Sequence, residues 1–285
     1  MRRATPEPVG TIRAGLGEGP LWHEAENRLL WIDIRLERLY KTDPESGRTE
    51  WFKLPGAPGS ATLTNRAEIV LAIDQKLVAT TPGSAVNRPL AELPAGNVGR
   101  FNDGKPDAAG RFWVGTADPA GGTDAALWIY DADHGFRRAV EGVSMSNGLG
   151  WSPDTKLFYY ADSPSSRVDV FDFEPGSGQL TNRRVLHQFP EGQLVDGLSV
   201  DADGRVWLAI WGQACVVCIT PDGRIDQTII LPTPLVTSCA WGGADYRTLW
   251  ITTASEDPAD PMAGALFSIE PGGQGMPPHK MRLGG

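Results

Sequence analysis

The sequence is poor in the residues that most often announce a catalytic type. It has three cysteines in 285 residues, an odd number that suits a reducing compartment better than a disulfide scaffold. Its four histidines, His23, His134, His187 and His279, are scattered through turns, strand ends and the tail. A Ser-His-Asp triad or a zinc cluster therefore has little to stand on. GVSMS and GLSVD both lack the second glycine of a nucleophile elbow, and GLGEG and GGQG precede no helix that would make a phosphate loop. No run of about 18 apolar residues occurs, so no membrane span is expected. The opening MRRATPEPVG has two arginines without the apolar stretch of a secretory signal, and a cytoplasmic location is the expectation. Basic charge is short as well: 26 Lys and Arg against 35 Asp and Glu leave a net −9, which excludes a nucleic-acid binder with a basic face. Finally, no segment of ten or more residues carries a 3.6-residue apolar period, so the eight helices of a TIM barrel are missing.

What the chain does have is punctuation and tryptophan. Glycine (34) and proline (23) favour many turns between short elements, and ten tryptophans recur at regular places. EGPLWHEAENRLLWID from Glu18, NDGKPDAAGRFWVG from Asn102 and NGLGWSPDTKLFYYAD from Asn147 share one pattern, as do DGLSVDADGRVWLAIWG from Asp196 and SCAWGGADYRTLWITT from Ser238. Each opens on a small polar or acidic residue, passes through a short strand and a polar turn, and enters a strand containing Trp31, Trp113, Tyr159, Trp207 or Trp250. The openings at 102, 147, 196 and 238 are 45, 49 and 42 residues apart, and the 84 residues from Glu18 to Asn102 leave room for one degenerate unit, SATLTNRAEIVLAID from Ser60. Two further strands follow in each unit, such as RLYKTD and TEWFKL. Units of this length with four short strands are the signature of propeller blades. The expected fold is an all-β, six-bladed β-propeller over residues 1–285, one domain with four antiparallel strands per blade. VGTIRAG and GALFSIE are expected to complete one blade together and leave no open sheet edge. CVVC (Cys215 to Cys218) lies within a β-branched strand whose alternation sends the two thiols to opposite faces, which favours packing over a metal or redox pair.

A ring brings the opening residues together. Glu18, a position near Ser60, Asn102, Asn147, Asp196 and Ser238 would line one mouth of the central channel. Asn-Gly and Asp-Gly are also favoured turn dipeptides, but a turn needs no common register between blades. Unpaired buried carboxylates are costly. A hard divalent cation held by oxygen ligands would remove that cost, with Ca, Mg or Mn best suited and Zn or Fe admitted.

The motifs LGEGPLW, RFNDGKPDAAGRFWVGT, SNGLGWSPDTKLFYYADS, DGLSVDADGRVWLAIWG and TSCAWGG closely resemble those of the SMP-30/gluconolactonase/LRE family, the regucalcin-like proteins that include bacterial sugar lactonases. The resemblance implies one divalent metal in the channel of a six-bladed propeller and hydrolysis of aldonic-acid lactones. By motif it implies Glu18, Asn147 and Asp196 as metal ligands, with Asp196 doubling as general base or acid. Arg100 and Asn102 would bind substrate oxygens, with Asp103 orienting the site. The family's acidic substrate contact in the loop after GT falls nearest Asp118 in the short ADPAGGTDAALW segment. The implied partner is a small sugar lactone, the protein being a monomer or weak homo-oligomer. Two alternatives stay open: the same metal acting on other lactones, esters or organophosphates, and a non-catalytic metal-binding propeller.

Overall fold

The computed structural model describes residues 5–84, 87–118 and 120–284. Among them the helical pieces are two three-residue turns, Glu24–Glu26 and Ser163–Ser165, and no helix is long and apolar enough to cross a membrane. The strands form six four-stranded antiparallel sheets arranged as a closed propeller. The innermost strands of blades one to six are Gly17–His23, Pro58–Leu63, Arg100–Pro106, Ser146–Trp151, Leu194–Val200 and Val236–Gly242. The degenerate unit from Ser60 is thus a full blade.

Blade six is built from both ends of the chain. Its fourth strand is Glu7–Val9, paired with Leu266–Ile269 so that Glu7 faces Ser268. The N-terminal contribution therefore ends where VGTIRAG was expected to begin it. The reason is local: Gly10 sits at φ +65, a left-handed conformation that turns the chain out of the sheet. It also packs so closely on Gly47 that a Cβ would meet that residue's carbonyl oxygen at 2.3 Å.

The repeated turn and aromatic have a common explanation in blades three and five. Asp201 is fully buried. One of its oxygens accepts from the backbone N–H groups of Asp203 and Arg205, at 3.0 and 2.9 Å; the other accepts from Arg205 Nε at 2.7 Å and Trp207 Nε1 at 2.9 Å. Asp107, Arg111 and Trp113 repeat this arrangement at 2.7 and 2.9 Å. A single carboxylate thus shapes the turn and fixes the tryptophan that packs between blades. Trp113, for example, meets Phe158 of blade four at 5.0 Å between ring centres. Six apolar clusters fill the six blade–blade seams. Cys215 belongs to the seam between blades four and five and Cys218 to that between five and six. The thiols therefore point apart, as the alternation of the strand predicts, and burial pushes both up, Cys218 to about 12.

The glycine-rich C-terminal tail is an ordered strap. Ala202 N–H donates to Gln274 O and Gly275 N–H to Tyr246 O. The chain then crosses the face of the ring to blades two and three, where Met281 exchanges backbone hydrogen bonds with Leu63 and Asn65, and Arg282 N–H donates to Gly110 O. Met281 is fully buried.

Candidate active site

Each innermost strand is paired along one edge only, so its other edge and alternate side chains face the channel. All six begin at the same mouth, here called the upper one. Near the start of every one the register with its neighbour shifts: between Glu18 and Leu21, Pro58 and Ser60, Phe101 and Gly104, Ser146 and Leu149, Val195 and Leu198, and Val236 and Ser238. Such irregularities bend a strand and re-aim side chains. Asn102, Asp103, Asn147 and Asp196 fall inside the shifted segments and Glu18 at the edge of one. The glycine that follows lets adjacent strands close up: a Cβ on Gly148 would meet Asp196 O at 2.5 Å.

Glu18, Asn102, Asp103, Asn147 and Asp196 are all buried. Asn147 Nδ2 donates to Ser163 Oγ at 3.0 Å, which fixes the amide, and its Oδ1 is buried without a partner. Asp196 Oδ1 and Asp103 Oδ2 are likewise buried and unpartnered, although Asp103 Oδ1 accepts from Gly104 N–H at 2.7 Å. Glu18 Oε2 accepts from Gly19 N–H at 3.0 Å. Arg100 Nη1 donates to Phe101 O at 2.7 Å and to Asn102 Oδ1 at 3.0 Å. Asn102 Nδ2 in turn reaches Ser146 O of blade four at 2.9 Å. Asn102 is thus committed at both ends, holding Arg100 and the neighbouring blade.

Asp118 directly follows Ala117, the register partner of Arg100. Its carboxylate accepts from Ala120 N–H at 2.9 Å within its own loop. Asp33, Asp74 and Asp162 occupy the corresponding ends of their second strands and also bind nearby loop N–H groups, at Gly15, Ala57 and Met145.

Burial and mutual repulsion dominate the electrostatics. Burial, then the charge of Asp103, pushes the Glu18 carboxyl up to about 8, with Arg100 and Lys105 opposing. Burial, then Glu18 and Asp103, holds Asp196 well above the usual carboxylate range, and burial also raises Asp103. Among the described residues no three His, Cys, Asp or Glu side chains converge as a ready-made metal cluster. The implied set differs in that one ligand is an amide. Its chemistry fits a hard divalent cation: Asn147 and Asp196 each bring a buried acceptor oxygen with no donor, and Glu18 adds a carboxylate whose charge needs compensation.

A pH dependence follows for the metal-free protein. In the unfolded chain Glu18 loses its proton near 4.5, whereas in the fold it keeps it to about 8. The folded state therefore binds more protons across this window, and stability falls as pH rises through it. The surface carboxylates held low, such as Glu174 at about 2, titrate below it. Melting of chelator-treated protein is expected roughly 5–10 °C lower at pH 8 than at pH 5. An equal or higher melting temperature at pH 8 would contradict the burial of these charges.

Beneath the carboxylates lies a cavity of about 160 Å³. Its wall includes Asp103, Lys105, Ser60 and Ser238, together with the tryptophans Trp22, Trp151 and Trp241, and the strap residues from Met276 to His279 form part of its boundary. Glu18, Asn147 and Asp196 do not line it. Asp103 therefore stands between the upper mouth, whose charges it senses, and this lower chamber.

The profile of the family described as SMP-30/Gluconolactonase/LRE-like region matches residues 16–255. The chain belongs to this family. Within the SMP-30/gluconolactonase group it is 33% identical to chicken (Gallus gallus) regucalcin, over 96% of this chain and 97% of that one. It is also 33% identical to the putative sugar lactone lactonase YvrE of Bacillus subtilis, over 92% and 94%. Among solved structures, a calcium-binding protein, regucalcin, from Agrobacterium tumefaciens superposes with a TM-score of 0.92 at 24% identity, covering 98% of both chains. A gluconolactonase from Xanthomonas campestris superposes at 0.77 and 21%, covering 94% and 89%. At these identities the two structures speak for the fold.

The residue that sequence reasoning missed is Lys105. Its ammonium donates to Leu149 O at 3.1 Å and to Leu198 O, on the strands that carry Asn147 and Asp196. Its position three residues past Asn102 was readable, but its partners are carbonyls, which every residue has.

Proposed function

We propose that this protein is a metal-dependent lactonase that hydrolyses sugar lactones to aldonic acids, with Glu18, Asn147 and Asp196 as the cation's ligands. The observation that carries this reading is the pair of buried, unpartnered acceptor oxygens on Asn147 and Asp196 beside a carboxylate raised to about 8. The gluconolactonase family membership and the lactonase named among the relatives support the same reaction.

When bound, the cation supplies Lewis-acid stabilisation of the negative charge that develops on the lactone carbonyl oxygen. The remaining work falls to the chain. Asp196 takes a proton from the attacking water as its oxygen bonds to the carbonyl carbon. It returns the proton to the ring oxygen as the C–O bond breaks, so the water is consumed and a hydroxy acid leaves. Arg100 is fixed through Nη1, so its remaining guanidinium N–H groups can meet the substrate's oxygens in a planar fork. Asn102 orients Arg100. Asp118 shapes the adjoining loop.

The test is to strip the protein of metal, restore divalent ions singly and follow acid release from a panel of aldonolactones, corrected for spontaneous ring opening. Turnover restored by a cation supports the reading. Activity confined to other esters or organophosphates would move the substrate class, and cation binding without any turnover would leave a binding protein. Replacing Arg100 with alanine is expected to lower kcat/KM by roughly 10–100-fold, the worth of a charged hydrogen bond, with cation affinity retained. Calorimetric loss of cation binding in that variant would instead make Arg100 structural.

A further inference from the structure

We propose that Lys105 is a positioning residue, an axial clamp that holds the strands bearing Asn147 and Asp196 at the spacing the cation requires. The clamp rests on the metal-centre reading above but extends it to a residue outside the ligand set. Innermost strands leave one row of backbone groups unpaired toward the channel, and buried carbonyls without donors are costly. Elsewhere single side chains meet such groups: Asn102 Nδ2 donates to Ser146 O at 2.9 Å, and Thr237 Oγ1 donates to Gly17 O at 2.6 Å. Lys105 differs in joining three blades at once. It starts from blade three and donates both to Leu149 O in blade four and to Leu198 O in blade five. Those carbonyls lie two residues beyond Asn147 and Asp196, just past the register shifts that aim the two side chains.

Two ways for Lys105 to act can be separated. Its positive charge favours the ionised forms of Glu18 and Asp103 through space, and on charge alone its removal would make the site more negative and tighten cation binding. Its bonds, however, run to carbonyls on two different strands. Such groups set position, and loss of a residue that orients metal ligands costs about 10–100-fold in affinity. The geometry therefore assigns the clamp precedence over the charge, with Asp103 retained beside it as a compensating anion.

The experiment uses the full-length protein with Lys105→Met, Lys105→Gln and the double variant Asp103→Asn/Lys105→Met. Calcium and manganese affinities are measured by calorimetry, and amide hydrogen exchange is followed in the metal-free proteins. Lys105→Met is expected to weaken cation binding at least about tenfold and to speed exchange in residues 146–151 and 194–200, while the outer strands stay protected. Lys105→Gln, which keeps a donor on a shorter stem, should fall between it and the parent. The double variant restores charge balance but not the clamp, and its affinity should stay low. Unchanged or tighter binding in Lys105→Met, or recovery in the double variant, would overturn the proposal in favour of a purely electrostatic role. If the parent itself binds no cation, the metal-centre reading fails. The clamp is then judged on exchange alone, and unchanged exchange in Lys105→Met, or in Lys105→Gln should the first not fold, rejects it.

Discussion

Asp196→Asn is expected to reduce lactone turnover by roughly 10²–10⁴-fold, the range for loss of a general base or acid, with the propeller intact. Asparagine preserves shape and one acceptor oxygen but cannot take a proton from water. Nor should the change unfold the protein. Burial, Glu18 and Asp103 already hold the Asp196 carboxyl well above its usual range, so an uncharged amide replaces a side chain whose charge the fold disfavours. The variant should melt no lower than the parent at pH 8 in chelator. Turnover is to be compared at saturating cation, because the same residue is a proposed ligand. Near-parental kcat under those conditions would remove Asp196 from the chemistry, whatever its effect on cation affinity.

Asp201→Ala is expected to produce the largest loss of stability, about 3–5 kcal/mol, because it leaves two turn N–H groups and a buried indole N–H without their acceptor, while Arg205 keeps only its partner Asp203. Asp201 is fully buried and carries four hydrogen bonds, from two backbone amides, Arg205 and Trp207. Alanine deletes all four acceptor contacts and frees Trp207, which packs edge-on against Trp241 of blade six at 5.3 Å. For a chain of this size the midpoint should fall by roughly 10 °C, read by scanning calorimetry. Asp201→Asn keeps one acceptor oxygen, for the turn or for the indole but not both, and should recover only part of the loss. Cation affinity should hold in both, since the brace lies at the opposite end of its strand from Asp196. A midpoint within about 2 °C of the parent in Asp201→Ala would show that the brace is dispensable.

The propeller was legible because each blade needs the same few things at the same places. A bulged inner strand calls for a polar residue and glycine, and a seam calls for an aromatic. Glu18, Asn102, Asn147 and Asp196 stood out because they share one repeat position, the family motifs single out three of them as ligands, and the structure brings Asp103 into electrostatic contact with Glu18 and Asp196. Signals that occur once were not readable. Lys105 acts through backbone carbonyls, so no residue pattern marks its partners. The strap hides behind a glycine-rich composition that reads as unstructured, although Met281 and Leu283 alternate with charged residues as a half-buried segment would. Asp118 has the residue type of a substrate contact, and the loop N–H bond its carboxylate also accepts depends on turn geometry that spacing does not reveal. The closing strand was misplaced by a few residues because alternation alone does not show where Gly10 turns the chain away.

The seam in blade six governs when the protein can become whole. Glu7 is made 261 residues before its partner Ser268. While the chain is being synthesised, five blades can form in order as their four strands appear, but the sixth must wait. Until then Glu7–Val9 has no sheet to join, and once Leu266–Ile269 is made its outer edge stays open to a strand from another molecule until Glu7–Val9 closes on it. Pairing across nearly the whole sequence is also the slow kind of contact to make. A tag or truncation that delays the arrival of Glu7–Val9 should therefore show first as lost soluble yield, before any change in the chemistry at the innermost strands.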